Sequence, residues 1–148
     1  MAVCTFFGHR DCPEEIRPKL RETLIRFIED YGVDQFYVGN QGAFDRIARE
    51  VLCRLKKEYP HIRYVVVLAY MPVKRGKSDA SDLSDTLLPE GIETVPKRFA
   101  ISWRNRWMLH QSDFVLAYIT REWGGAAPFA SLAVRQGKTV VNLGEKSG

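Results

Sequence analysis

The 148-residue sequence lacks any apolar run long enough to cross a membrane. Its longest, Tyr64 to Met71, is eight residues, against the ~20 that a spanning helix needs. It also lacks a basic leader followed by a small-residue cleavage site, so we expect no signal peptide and a cytoplasmic location. Cysteine is scarce: Cys4, Cys12 and Cys53 are an odd number, and their spacing fits no Cys-x-x-Cys or Cys/His zinc pattern. A disulfide framework and a metal site are both disfavoured, and a reducing compartment fits. Charge of one sign is not abundant either. The 22 Lys+Arg stand against 18 Asp+Glu, giving a net charge of +4, with no basic run of the kind that marks a nucleic-acid partner. Both familiar nucleotide fingerprints, G-x-G-x-x-G and G-x-x-x-x-G-K-[ST], are missing, which disfavours an ordinary dinucleotide dehydrogenase and a P-loop ATPase. No G-x-S-x-G elbow, H-E-x-x-H helix or two-metal aspartate cluster appears. The sequence does not display a reaction, and it implies no cofactor.

What is present is the composition of a globular chain: 45% hydrophobic and 27% charged, with a length that suits one domain over residues 1–148. Short β-rich runs alternate with helical periodicity. Val3 to Phe7 reads as a strand halted by Gly8, and Asp11 to Glu14 carries helix-start chemistry with Asp11 as a cap. Ile16, Leu20, Leu24, Phe27, Ile28 and Tyr31 then form one apolar stripe, ending at Gly32. Gln35 to Val38 is a second strand. Phe44, Ile47, Ala48, Val51, Leu52 and Leu55 give the cleanest helical period. Tyr64 to Ala69 is a continuous apolar strand, the pattern of a parallel sheet covered on both faces. From Met71 to Pro96 the pattern breaks, with a short strand at Thr86 to Leu88. The polar stretch Lys74 to Asp85 reads as a loop, mobile without ligand and placed to act as a lid. A helix over Arg98 to Gln111, a strand over Phe114 to Ile119, a helix over Ala126 to Gln136 and a strand over Lys138 to Leu143 complete the chain. In the last helix Phe129, Ala130, Ala133 and Val134 form the predicted buried side. This alternation predicts an α/β fold, a Rossmann-like three-layer sandwich around a mainly parallel, doubly wound sheet.

In such sheets ligands bind beyond the carboxyl ends of the strands, where strand order reverses. Three strand ends here carry glycine and small polar residues before a helix: Gly8-His9-Arg10, Gly39-Asn40-Gln41-Gly42 and Trp123-Gly124-Gly125-Ala126. Backbone amides and the helix dipole at such turns can face an anion, and the missing Cβ lets a phosphate approach. Asp45 could hold a ribose hydroxyl or simply favour its helix dipole. Cys12, near a helix start, lacks a partner base and is disfavoured as a nucleophile. In Trp103-Arg104-Asn105-Arg106-Trp107 the tryptophans share a helix face against the sheet, while the arginines diverge and Arg104 is the one expected in the cleft.

The motifs Thr5-Phe6-Phe7-Gly8-His9-Arg10, Val38 to Asp45, Arg104 to Met108, Ser112-Asp113 and Trp123 to Ala126 together resemble the SLOG superfamily. This is the Rossmann-like group that unites DprA/Smf proteins and LOG-type phosphoribohydrolases; the likeness is nearest to its small YpsA-like members and spans nearly the whole chain. It implies a pocket for a nucleotide, a nucleotide sugar or another phosphorylated small molecule, and it is compatible with a homodimer. LOG-type enzymes cleave the N-glycosidic bond of nucleoside monophosphates with an Arg-Lys pair and a P-G-G-x-G-T-x-x-E loop. Arg104, Gly124 and Gly125 match that pattern. Asn105 stands in place of the lysine, Trp123 of the proline, Ala127 of the third glycine, Pro128 of the threonine and Ser131 of the glutamate. A serine cannot supply the carboxylate that glycosidic cleavage needs.

The expectation is therefore binding or sensing of a nucleotide-derived or other phosphorylated small molecule through Gly8, His9, Arg10, Gly39, Asn40, Gly42, Asp45, Arg104, Gly124, Gly125 and Ala126. The alternative is a nucleoside-phosphate N-glycosidase or related hydrolase using another carboxylate, with Glu122 better placed than Asp45 or Asp113. Single-stranded DNA binding is the least favoured reading.

Overall fold

The computed structural model describes residues 2–70 and 86–144. Six parallel strands form one sheet in the order β4-β3-β2-β1-β5-β6. In chain order these are β1 (Ala2–Gly8), β2 (Val33–Val38), β3 (Arg63–Val67), β4 (Thr86–Leu87), β5 (Phe114–Tyr118) and β6 (Thr139–Asn142). The helices are α1 (Arg17–Tyr31), α2 (Gly42–Glu58), α3 (Lys97–Gln111) and α4 (Ala127–Arg135). The α/β Rossmann-like arrangement read from the alternation is the one observed. The expected lid, Lys74 to Asp85, lies outside the described residues.

Alternation along β1 divides the core into two layers. Cys4 and Phe6 point to one face, where Leu20, Leu24 and Phe27 of α1 and Phe44, Ile47 and Leu52 of α2 cover the sheet. Phe7 points to the other, against Met108 and Leu109 of α3 and Phe129 and Ala133 of α4. A sheet buried on both faces needs near-continuous apolar strands, as β1 and β5 supply. Gly32 ends α1 with φ 68°, a left-handed conformation that costs glycine little.

Two local expectations are corrected. Asp11 does not cap a helix: a short 3-10 turn, Glu14–Ile16, opens without a side-chain cap, and the Asp11 carboxylate is bound to Arg121 instead. Val134 is 62% exposed, because α4 turns only its Phe129–Ala133 edge to the sheet. No described helix is long and apolar enough to cross a membrane.

Candidate functional site

The chain builds β1 through β4 outward in one direction, then returns through α3 to place β5 on the far side of β1. The order reverses between β1 and β5, whose pairing runs from Cys4↔Phe114 to Gly8↔Tyr118. Beyond these strand ends lies a cleft of about 340 Å³. It is lined by Gly8, His9 and Arg10 after β1, Gln41 and Asp45 at the start of α2, Ile101, Arg104, Asn105 and Met108 on α3, and Arg121 with Gly124, Gly125 and Ala126 after β5.

His9 fastens the two lips. Its N–H donates to the Tyr118 carbonyl at 3.2 Å, and the Thr120 N–H donates to His9 Nε2 at 3.0 Å. A ring that accepts on Nε2 carries its proton on Nδ1 when neutral. Burial, reinforced by the Arg121 charge and opposed by Asp11, holds this imidazole below its ordinary pKa. Nδ1 faces Gly124, where a Cβ would sit 3.7 Å from it. Gly124 has φ 108°, a conformation that L side chains rarely adopt.

Arg104 is the central correction. The sequence places it in an open cleft, free to contribute little to the fold; it is 2% exposed. Its Nε donates to Asn105 Oδ1 at 3.0 Å, and Nη1 donates to the Val67 carbonyl at 3.1 Å and to Asn40 Oδ1 at 3.3 Å. Asn105, where the LOG-type pattern has lysine, therefore orients the arginine rather than adding a charge. Burial lowers the Arg104 pKa, with Asp45 and Tyr70 pulling it up. Asp45 accepts the Gln41 N–H at 2.9 Å. Burial raises its pKa from the ordinary 3.8 to about 6, against the Gln41 hydrogen bond and the charges of Arg104, Arg49 and Arg10.

Not every predicted residue lines the cleft. Gly39, Asn40 and Gly42 stand behind it. A Cβ on Gly39 would lie 2.7 Å from Asp45 Oδ2 and 2.9 Å from Arg104 Nη1, so this glycine lets the carboxylate and guanidinium close around the backbone. Gly8 likewise makes room for protein rather than for a phosphate, since its Cβ would fall 2.2 Å from the Phe44 ring. Gly42 meets Arg10, whose carbonyl accepts the Ala43 N–H at 2.9 Å, tying the first turn to α2. Of the glycines predicted for the site, Gly125 is the one with nothing within 4 Å of its Cβ position; it opens directly on the cleft.

The carboxylates also sort differently from the expectation. Glu122 is exposed and lines a separate cleft of about 490 Å³ between α4 and the end of β6. Asp113 sits at the opposite edge of the sheet, accepting the Val3 N–H at 3.2 Å. Asp45 is the carboxylate of the main cleft. Cys12 is buried, and burial first, then Glu14 and Asp11, push its thiol up to about 11, which removes it as a nucleophile at neutral pH. Among the described residues no group of His, Cys, Asp and Glu could hold a metal ion.

Sequence reasoning did not name Gln41, Ile101, Asn105, Met108 or Arg121 as site residues. Ile101, Arg104, Asn105 and Met108 recur at three- and four-residue spacing, so the helical period around Arg104 carried the signal for α3. Arg121 had none. It is fixed by a two-pronged ion pair with Asp11, at 3.0 and 3.1 Å, across 110 residues of chain.

No family model matches the chain. Among solved structures it is similar to DNA processing protein A (DprA) from Streptococcus pneumoniae, with a TM-score of 0.70 at 13% identity; the match covers 96% of this chain and 50% of that one. It is also similar to the molybdenum cofactor carrier protein of Chlamydomonas reinhardtii, with a TM-score of 0.62 at 15% identity over 99% of this chain and 79% of the other. At these identities the likeness is one of fold. The chain spans half the length of the DprA it matches. In sequence, a UPF0398 protein from Bacillus thuringiensis (strain Al Hakam) is 24% identical over 137 residues, which is 87% of this chain and 74% of that protein. These relatives and neighbours agree with the SLOG, YpsA-like resemblance carried by the motifs.

Proposed function

We propose that the cleft between β1 and β5 binds a nucleotide-derived or other phosphorylated small molecule. One observation carries this reading: at the point where strand order reverses, three arginines, Arg10, Arg104 and Arg121, line one cleft in which Asp45 is the single carboxylate among the described residues. The balance stays positive with Asp45 ionised, His9 neutral and Arg121 paired to Asp11, since Arg10 and Arg104 stand against Asp45 alone. No side chain caps the first turn of α4 beside Gly125, and a helix N-terminus favours an anion. Gly8, His9, Arg10, Asp45, Arg104, Gly124, Gly125 and Ala126 surround the ligand in this reading, while Gly39, Asn40 and Gly42 hold Asp45 and Arg104 in place. The name of the Chlamydomonas neighbour, a cofactor carrier, accords with binding without turnover. The test is a thermal-shift panel of nucleotides, nucleotide sugars and sugar phosphates. A ligand at 100 times its Kd adds about 2.7 kcal/mol, which for a chain of this size raises Tm by about 5–10 °C. A panel in which nothing moves Tm overturns the reading.

A second reading, hydrolysis of a nucleoside phosphate at its N-glycosidic bond, rests on Asp45 alone. A buried carboxyl with a pKa near 6 is poised for proton transfer near neutral pH. Release of free base from nucleoside monophosphates, lost in Asp45→Asn, supports it; no turnover across that substrate class removes it.

A further inference from the structure

Residues 121–126 join the end of β5 to α4 and bring Arg121, Gly124, Gly125 and Ala126 to the cleft. Among the described backbone hydrogen bonds, none is donated by this segment. The lip is tied to the turn after β1 at two points instead. One is the ion pair of Arg121 with both oxygens of Asp11, whose carboxylate is exposed; such a pair in water is worth little. The other is the Thr120 N–H, which donates to His9 Nε2 at 3.0 Å. That bond is shielded, since His9 is 3% exposed and its ring meets the Tyr118 ring edge-on at 6.1 Å. The His9 N–H itself reaches the Tyr118 carbonyl, so the strand ends stay paired up to this point and the lip begins just beyond it.

We propose that His9 is an acid-released latch on the cleft: neutral, it holds the lip between β5 and α4 against the turn after β1; protonated, it lets the lip go. An imidazole accepts a hydrogen bond only through an unprotonated nitrogen, and an imidazolium has none. Protonation of Nε2 therefore sets one donor against another, the Thr120 N–H, across 3.0 Å. Flipping the ring gives no relief, and Thr120 must turn to water, which an opened lip admits. Burial first, then the charge of Arg121 on the lip itself, disfavours the imidazolium, while Asp11 on the ring's own turn favours it. The Tyr118 phenol, pushed up by burial, is neutral throughout. Arg10, Asp45 and Arg104 line the same cleft, two cations against one carboxylate. Opening returns His9 to its ordinary pKa of 6.5, so below that pH protons favour the open lip for as long as the latched ring stays neutral. The latch does not depend on what the cleft binds. Its consequence is that the lip and the turn after β1 form one surface near neutral pH and separate in acid.

The experiment is NMR of the isotope-labelled full chain between about pH 5 and 7.5. It reads the ring nitrogens of His9 and the solvent exchange of the Thr120 amide, expressed as protection over an unfolded amide. The Ile119 amide, held by Asn142 Oδ1 at 2.9 Å and not by His9, is the internal control. At the upper end of the range the His9 proton sits on Nδ1. Thr120 protection is constant above about pH 6.5 and falls by up to about tenfold per pH unit below it, while Ile119 protection does not change. In His9→Gln, whose side-chain carbonyl accepts without titrating, Thr120 stays protected across the range; in His9→Ala it exchanges freely at every pH. Thr120 protection that is flat with pH in the wild type, or a His9 proton resting on Nε2 at neutral pH, overturns the latch. So does an equal acid loss in His9→Gln, or a parallel loss at Ile119, which marks general unfolding. Where a variant fails to fold, the wild-type comparison of Thr120 with Ile119 decides alone.

Discussion

Asp45 should cost the fold stability at neutral pH, and Asp45→Asn measures how much. In the native state its carboxyl titrates at about 6, against an ordinary 3.8. The native state therefore holds this proton at pH values where the unfolded chain has released it. Below about pH 3.8 both states are protonated and the group contributes nothing. Between about pH 3.8 and 6 the native state binds more protons than the unfolded one, so stability falls as pH rises; above 6 the loss is constant. At 1.36 kcal/mol per pKa unit, the full loss is about 3 kcal/mol. Asparagine mimics the protonated acid and can still accept the Gln41 N–H that now donates to Asp45 at 2.9 Å. We predict that Asp45→Asn and the wild type melt together near pH 4, and that the variant melts about 6–12 °C higher at pH 8. The assay is a pair of thermal melts across pH 4–8, read as the difference between the two proteins. Subtraction cancels the opposite trend of His9, whose lowered pKa sheds stability as pH falls below 6.5. A difference that stays flat with pH, or a variant less stable than wild type at pH 8, refutes the argument.

The remaining predictions follow from the same cleft. Arg104→Ala leaves the buried Val67 carbonyl and Asn105 Oδ1 without a donor at about 1–3 kcal/mol each; urea melts should show a loss of about 2–6 kcal/mol, and a loss under 1 kcal/mol would show that water replaces the guanidinium. Arg104→Lys restores the charge but not the fork, so it should recover only part of that stability. Gly125→Val has open space for its side chain; it should leave Tm within about 3 °C of wild type while weakening a phosphorylated ligand 10-fold or more by calorimetry, and unaltered affinity would move the ligand away from this turn. Gly8→Ala is the contrast, because its Cβ overlaps the Phe44 ring: thermal melts should fall by several degrees even without ligand, and a wild-type Tm would mean that the ring moves freely aside.

The fold was legible because its signals are local and repeated. Period-two and continuous apolar runs marked β1, β2, β3 and β5, and the stripe from Phe44 to Leu55 marked α2, each within a window shorter than the element's own neighbours. The reversal of order between β1 and β5 added what the chain alone does not encode, namely which strand ends meet. Once they meet, Gly8-His9-Arg10 and Gly124-Gly125-Ala126 face each other, as their glycine turns suggested. What stayed hidden depends on contacts between distant residues. Asp11 reads as a helix cap from its neighbours, yet its partner is Arg121, and no pattern near either residue predicts the pair. Arg104 reads as an exposed cation because arginine usually is one, yet the Val67 carbonyl and two asparagines bury and satisfy it. The glycines were legible as positions and not as reasons. Gly8 and Gly39 are small because Phe44, Asp45 and Arg104 press against them, and Gly125 alone faces empty space in the cleft. That difference divides the site into a scaffold, where substitution breaks packing, and one turn where substitution reads binding directly. The functional test therefore belongs at Gly125, where an added side chain meets nothing in the fold, more than at Arg104, whose loss confounds the two.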